Sequence, residues 1–260
     1  MNKKLLTLLS FLFLIQFADA QTWQKISTVK VSGNIAVIDN LNNVYVYNQR
    51  VIEKYNIAGK LLFTYSSTSS ANITKIDVLN PMQLLVYYAE INQLIFLDNT
   101  LSESGAALQL SNIDFQQTTQ VCNSANKGFW IFNTENIELI NLSNELEILS
   151  RTGNLALLLN KQINPTLMQE TGNKLYVSNA QNTFVFDNFG TYQKSIPIPA
   201  KNISITESAI YFFEDNKMEK YNLNDARIEE ILLPQPLLNY FYNGQYLASV
   251  ENMQLTIWHN

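Results

Sequence analysis

Val44–Lys60 reads VYVYNQRVIEKYNIAGK, and the fold follows from it. Val44–Tyr47 and Val51–Tyr55 are rich in β-branched and aromatic residues, which fit a pleated, packed surface. Asn48-Gln49-Arg50 between them is short and polar, as a hairpin turn is. Asn56-Ile57-Ala58-Gly59 ends the second strand, and Gly59 can take the positive φ that a type I turn with a bulge requires. Leu61–Tyr65 is the next strand. A helix would need an apolar period of about 3.6 residues, and the stretch sustains none.

Weaker copies run along the chain. An apolar residue followed by Asn or Asp closes a strand at Tyr55-Asn56, Leu97-Asp98, Ile140-Asn141, Phe186-Asp187 and Tyr221-Asn222, with Trp258-His259 in the same place at the end. A similar strand precedes each one. The period of about 40 residues, with four strands per unit, points to a β-propeller. Leu94–Leu97, Phe129–Phe132 and Ile210–Phe213 are apolar at every position. A blade packed on both faces by its neighbours needs such runs, whereas a sandwich with one wet face alternates more cleanly. The sixth unit stops after its third strand, and Trp23–Val31 is a spare strand. The expectation is therefore an all-β, six-bladed propeller of four-stranded antiparallel blades, its ring closed by the N-terminal strand. The longest step between units leaves room for a short helical turn at Leu155–Leu159.

Lys3 and Lys4, the apolar run Leu5–Phe17 and Ala18-Asp19-Ala20 make a secretory signal peptide over residues 1–20, with one domain over 21–260. The apolar run is shorter than the roughly 20 residues of a spanning helix. Losing Lys3, Lys4 and Asp19 moves the formal charge from −5 to −6. That acidity argues against nucleic acid and against anionic membrane surfaces as partners. Cys122 is the only cysteine, so the core must hold the fold without a disulfide. A secreted or periplasmic bacterial protein fits these features.

Asn42-x-Val44–Asn48 followed by Ile52–Asn56 and Gly59–Leu62 resembles a blade of the NHL-type and TolB-like six-bladed propellers. The glycine after the Asn or Asp is missing from units two and three. The resemblance implies the fold and a tendency to bind. Its members include protein-binding scaffolds, lactonases and lyases, so it implies no single activity.

Two sets of residues are candidates for a site. Turns between second and third strands share one face of a propeller, and here they are acidic and amide-rich. Glu90, Glu214 and Asp215 supply carboxylates, and Arg50 is the one arginine among them. Oxygen ligands of this kind suit a divalent cation such as calcium or magnesium, although hairpin turns favour Asn and Asp in any case. First strands line the channel, and Lys75 and Asp77, two apart, share a face there, ready to pair or to touch a ligand. Tyr88 and Trp130 end strands near the rim, as ligand platforms or as ordinary core.

His259 is the only histidine, which removes multi-histidine zinc sites and departs from propeller lyases that use histidines. No Gly-rich phosphate loop, G-x-S-x-G elbow or C-x-x-C occurs. Two readings stay open. One is an exported propeller that binds a protein or a small polar ligand, with no catalytic residue and no cofactor. The other is a hydrolase or lactonase with carboxylates and a divalent cation at the channel mouth.

Overall fold

The computed structural model describes residues 23–260, except 114, 116, 126, 127, 200–202, 215, 216, 238 and the side chain of 214. The expected signal peptide lies outside the described residues. β1 (Gln24–Lys30) belongs to the last sheet, and the chain then builds each blade from the channel outward. Blade one is β2 (Ile35–Ile38), β3 (Val44–Tyr47), β4 (Val51–Tyr55) and β5 (Leu61–Ser66). Blade two is β6 (Lys75–Asp77), β7 (Leu84–Tyr88), β8 (Gln93–Leu97) and β9 (Leu108–Gln109). Blade three is β10 (Thr118–Asn123), β11 (Phe129–Asn133), β12 (Glu138–Leu142) and β13 (Ile148–Arg151). Blade four is β14 (Leu167–Thr171), β15 (Lys174–Ser178), β16 (Thr183–Asp187) and β17 (Tyr192–Ile196). Blade five is β18 (Ser204–Ile205), β19 (Ala209–Glu214), β20 (Lys217–Asn222) and β21 (Ile228–Ile231). Blade six is β22 (Tyr240–Tyr242), β23 (Tyr246–Glu251) and β24 (Gln254–His259), with β1 as its outer strand.

The six-bladed propeller of the sequence reading is thus the observed fold, and the N-terminal strand closes it. β1 pairs antiparallel with β24 from Gln24 opposite His259 to Lys30 opposite Gln254. The Trp23 indole N–H donates to the Leu232 carbonyl at 2.5 Å, and its ring meets Tyr242 edge-on at 5.4 Å.

Side-chain alternation explains the continuous apolar runs. Leu84, Val86 and Tyr88 face blade one and pack with Tyr45, Tyr47 and Ile52. Leu85 and Tyr87, on the other face of the same strand, pack with Phe129 and Ile131 of blade three. Every blade pair repeats this, and blade six meets blade one through Val250 and Ile257 against Val44 and Val46. A second strand therefore has no wet face to mark with polar residues.

The opening stretch forms as its residues suggest. The Asn48 side-chain oxygen accepts the N–H groups of Arg50 and Val51 at 2.7 and 2.8 Å, which turns β3 into β4. Gly59 has φ +79°, and the β4–β5 register shifts beside it at Tyr55. Unit three differs from the sequence alignment: Asn141 lies inside β12, and Ser143 makes the turn by accepting the N–H groups of Glu145 and Glu147. A short helix, α1 (Leu155–Leu159), fills the long connection after blade three. The Asn154 side chain caps it by accepting the Leu157 N–H at 3.0 Å.

Candidate functional site

Two cavities occupy the propeller axis. One, of 240 Å³, is the channel, walled by innermost strands and mainly apolar. The other, of 470 Å³, opens where those strands end. Its wall comes from the ends of first strands, with Glu170 of β14, and from the turns that follow them, including Asp39, Asn42, Glu207, Asn243 and Gln245. Blade three joins through Asn123–Ala125, which line a neighbouring cavity of 310 Å³ that shares Glu170.

This mouth lies opposite the second-to-third-strand turns singled out in the sequence. Amides in those turns are largely consumed by the turns themselves. Asn48, Asn133 and Asn179 each accept backbone N–H groups two or three residues on. Glu90 is exposed and accepts from the Asn72 amide at 3.0 Å. Arg50 donates to the carbonyls of Ser69 and Ser70 and so pins the loop after β5. Glu214 stands opposite Lys217 in the β19–β20 register; its side chain and Asp215 lie outside the described residues.

Tyr88 is buried between blades one and two, its hydroxyl paired with Ser67 at 2.8 Å and Tyr65 at 3.2 Å. Trp130 is fully buried between blades three and four. Its indole N–H donates to Glu170 at 2.6 Å. Both aromatic side chains are packed into the cores between blades.

Lys75 and Asp77 both reach the channel, and they make no ion pair with each other. Lys75 Nζ donates to the carbonyls of Val121 and Met168, each at 2.9 Å. Asp77 accepts the Asn123 N–H at 2.9 Å and the Leu79 N–H at 3.0 Å. Lys75 and Asp77 thus stitch β6 to β10 at Val121 and Asn123, also two residues apart. Gln169 continues the stitching to the Ile205 carbonyl, and Ser204 to the Tyr242 carbonyl, each at 2.5 Å. Innermost strands leave one backbone edge facing the channel, and these side chains satisfy part of it. Cys122, beside Lys75, is fully buried, and burial pushes its thiol well above the ordinary cysteine range.

The sequence reading did not single out the carboxylates of the open mouth. Asp39 accepts from the Leu41 and Asn43 N–H groups, the Asn43 amide and the Tyr45 hydroxyl. Glu170 accepts from Ala125 and Trp130. Glu207 is exposed, with no hydrogen bond or ion pair among the described residues. A polar residue at or just beyond the end of an innermost strand was the available signal in four blades: Asp39, Glu170-Thr171, Thr206-Glu207, Asn243. Among the described residues no group of three or more His, Cys, Asp or Glu is arranged to hold a metal ion. No helix among them is long and apolar enough to cross a membrane.

No protein-family model matches the chain, and no curated protein matches its sequence. Solved structures share its fold. Virginiamycin B lyase from Staphylococcus aureus is similar with TM-score 0.56 and 16% identity, over 88% of this chain and 82% of that one. BamB from Moraxella catarrhalis is similar with TM-score 0.52 and 9% identity, over 92% and 98%. A protein described as exported, from Bacteroides fragilis, is similar with TM-score 0.58 and 8% identity, over 92% and 95%.

Proposed function

We propose that the chain is an exported binding module that takes its ligand at the mouth where the innermost strands end. Glu207 carries this reading. It is an exposed carboxylate without a partner among the described residues, on the wall of a 470 Å³ cavity. The neighbouring carboxylates Asp39 and Glu170 are engaged in holding turns and blades together. A site with one unengaged carboxylate among amides and threonines suits a basic or hydroxyl-rich segment of a partner protein.

The apolar run Leu5–Phe17 with its Ala18-x-Ala20 end supports export, as does the likeness to the Bacteroides protein. Virginiamycin B lyase shares the fold at 16% identity, too little to transfer a reaction. The cation-dependent hydrolase is the weaker reading, because the described carboxylates do not gather into a ligand set.

The test uses immobilised wild-type chain and a Glu207→Lys variant, each exposed to envelope extract. A protein retained by the wild type and lost by the variant, at equal melting temperature, is the expected result. Equal retention by both removes the mouth as the site. A melting temperature raised by calcium or magnesium and lowered by EDTA would move the conclusion to the hydrolase.

A further inference from the structure

Lys75 carries a chemistry independent of the mouth. Lys75 lines the channel and is half-buried there. The only two hydrogen-bond acceptors that it meets among the described residues are the carbonyls of Val121 and Met168, each at 2.9 Å. No described carboxylate lies within 4.0 Å of the nitrogen. Ala36, Val37, Leu167, Ile203 and Phe241 give the 240 Å³ channel an apolar wall.

Two acceptors match the two N–H groups of a neutral amine and leave its lone pair as the one unengaged feature. An ammonium has three donors, so among the described residues the same site offers no acceptor for its third N–H. The ionisable groups that act on it are Cys122 on β10 and Asp77 on β6, and Glu170 on β14 acts in turn on Cys122. The two carboxylates are occupied by other donors: Asp77 by Leu79 and Asn123, Glu170 by Ala125 and Trp130. Burial lowers the amine's pKa from the ordinary lysine value, against opposing effects of Cys122 and Asp77.

We propose that Lys75 is a nucleophilic amine on which a small aliphatic aldehyde or ketone entering the channel condenses to an imine. A bond forms between Nζ and the carbonyl carbon. The carbonyl oxygen leaves as water with the two hydrogens of the amine, so no oxidant or reductant takes part. The apolar wall receives the alkyl part of the carbonyl compound. The neutral imine carries no N–H; a buffer acid protonates it transiently, leaving its conjugate base in solution, and the iminium so formed is the species that a hydride reductant traps.

The experiment treats the full chain with propanal and sodium cyanoborohydride at neutral pH and maps the propylated lysines by peptide mass spectrometry. The expected result is Lys75 labelled several-fold faster than the exposed Lys60 and Lys174. Labelling of Lys75 no faster than theirs overturns the proposal. Reductive methylation with ¹³C-formaldehyde gives a second measurement. The Lys75 resonance, assigned by its loss in Lys75→Arg, should titrate below the other lysines, and titration together with them overturns the proposal equally.

Discussion

Lys75 and Met168 belong to blades two and four, yet the Lys75 amine reaches the Met168 carbonyl at 2.9 Å across the channel. The same nitrogen holds the Val121 carbonyl of blade three between them. Innermost strands of neighbouring blades do not pair through their backbones, because each is the edge of its own sheet. Blade faces are glued by six apolar cores, and the channel edge is joined by single side chains. Polar residues on the innermost strands therefore carry structure as well as any chemistry.

Asp77 tests that division. Its carboxylate accepts one N–H from its own turn and one from Asn123 on the next blade. Asp77→Ala leaves the buried Asn123 N–H and the part-buried Leu79 N–H without their acceptor. Hydrogen bonds to charged groups contribute about 1.5–3 kcal/mol each, so the variant should lose at least about 1.5 kcal/mol. Urea unfolding followed by tryptophan fluorescence measures it. A loss within about 0.5 kcal/mol, the ordinary range of a surface substitution, would show that water replaces the carboxylate without cost.

Closure of the ring depends on β1. Removing Trp23–Val31 strips six paired positions from β24 and takes the buried Val31 from the core between blades six and one. The expected outcome is a chain with no cooperative thermal transition, followed by far-UV circular dichroism. A melting temperature equal to that of the intact chain would mean that three strands suffice for blade six.

Much of this fold was legible because blades repeat a local pattern. The boundaries of β3 and β4 matched the β-branched and aromatic runs residue for residue. The pairing of β1 with β24 followed from the spare strand at one end and the three-stranded unit at the other. The site was less legible. Sequence marks Asn48 and Asn179 as polar, and it does not say that their amide oxygens are already engaged by their own turns. Trp130 and Tyr88 look alike in sequence whether they face a ligand or a neighbouring blade. The two partners of Lys75 lie 46 and 93 residues away, and they are backbone carbonyls that no side-chain pattern marks.

Asp98 sets a pH dependence. The Thr100 hydroxyl, then the Ser102 and Thr100 N–H groups, stabilise its charged form and hold its carboxyl below the ordinary value. A depressed carboxylate adds stability above its unfolded pKa of about 3.9 and loses it as pH falls through the folded pKa. Asp98→Ala should thus unfold more readily than wild type at pH 7. The gap should narrow as both are taken below about pH 3.9. A gap that stays constant through that range would mean that the turn is held by shape rather than by charge.

Trp130 separates a ligand role from a structural one. The ring is fully buried against Phe132, Leu175 and Phe184, and its N–H donates to Glu170 at 2.6 Å. Trp130→Phe keeps most of the apolar volume and removes the donor. Glu170 then retains the Ala125 N–H alone, at 3.1 Å, and its second oxygen loses its donor. The cost of one lost bond to a charged group is about 1.5–3 kcal/mol, with a small cavity adding to it. Chemical denaturation should show that loss while any ligand captured by the wild-type mouth is still captured by the folded variant. Unchanged stability with lost capture would instead place Trp130 in the binding site and overturn the assignment of its indole to the joint between blades three and four.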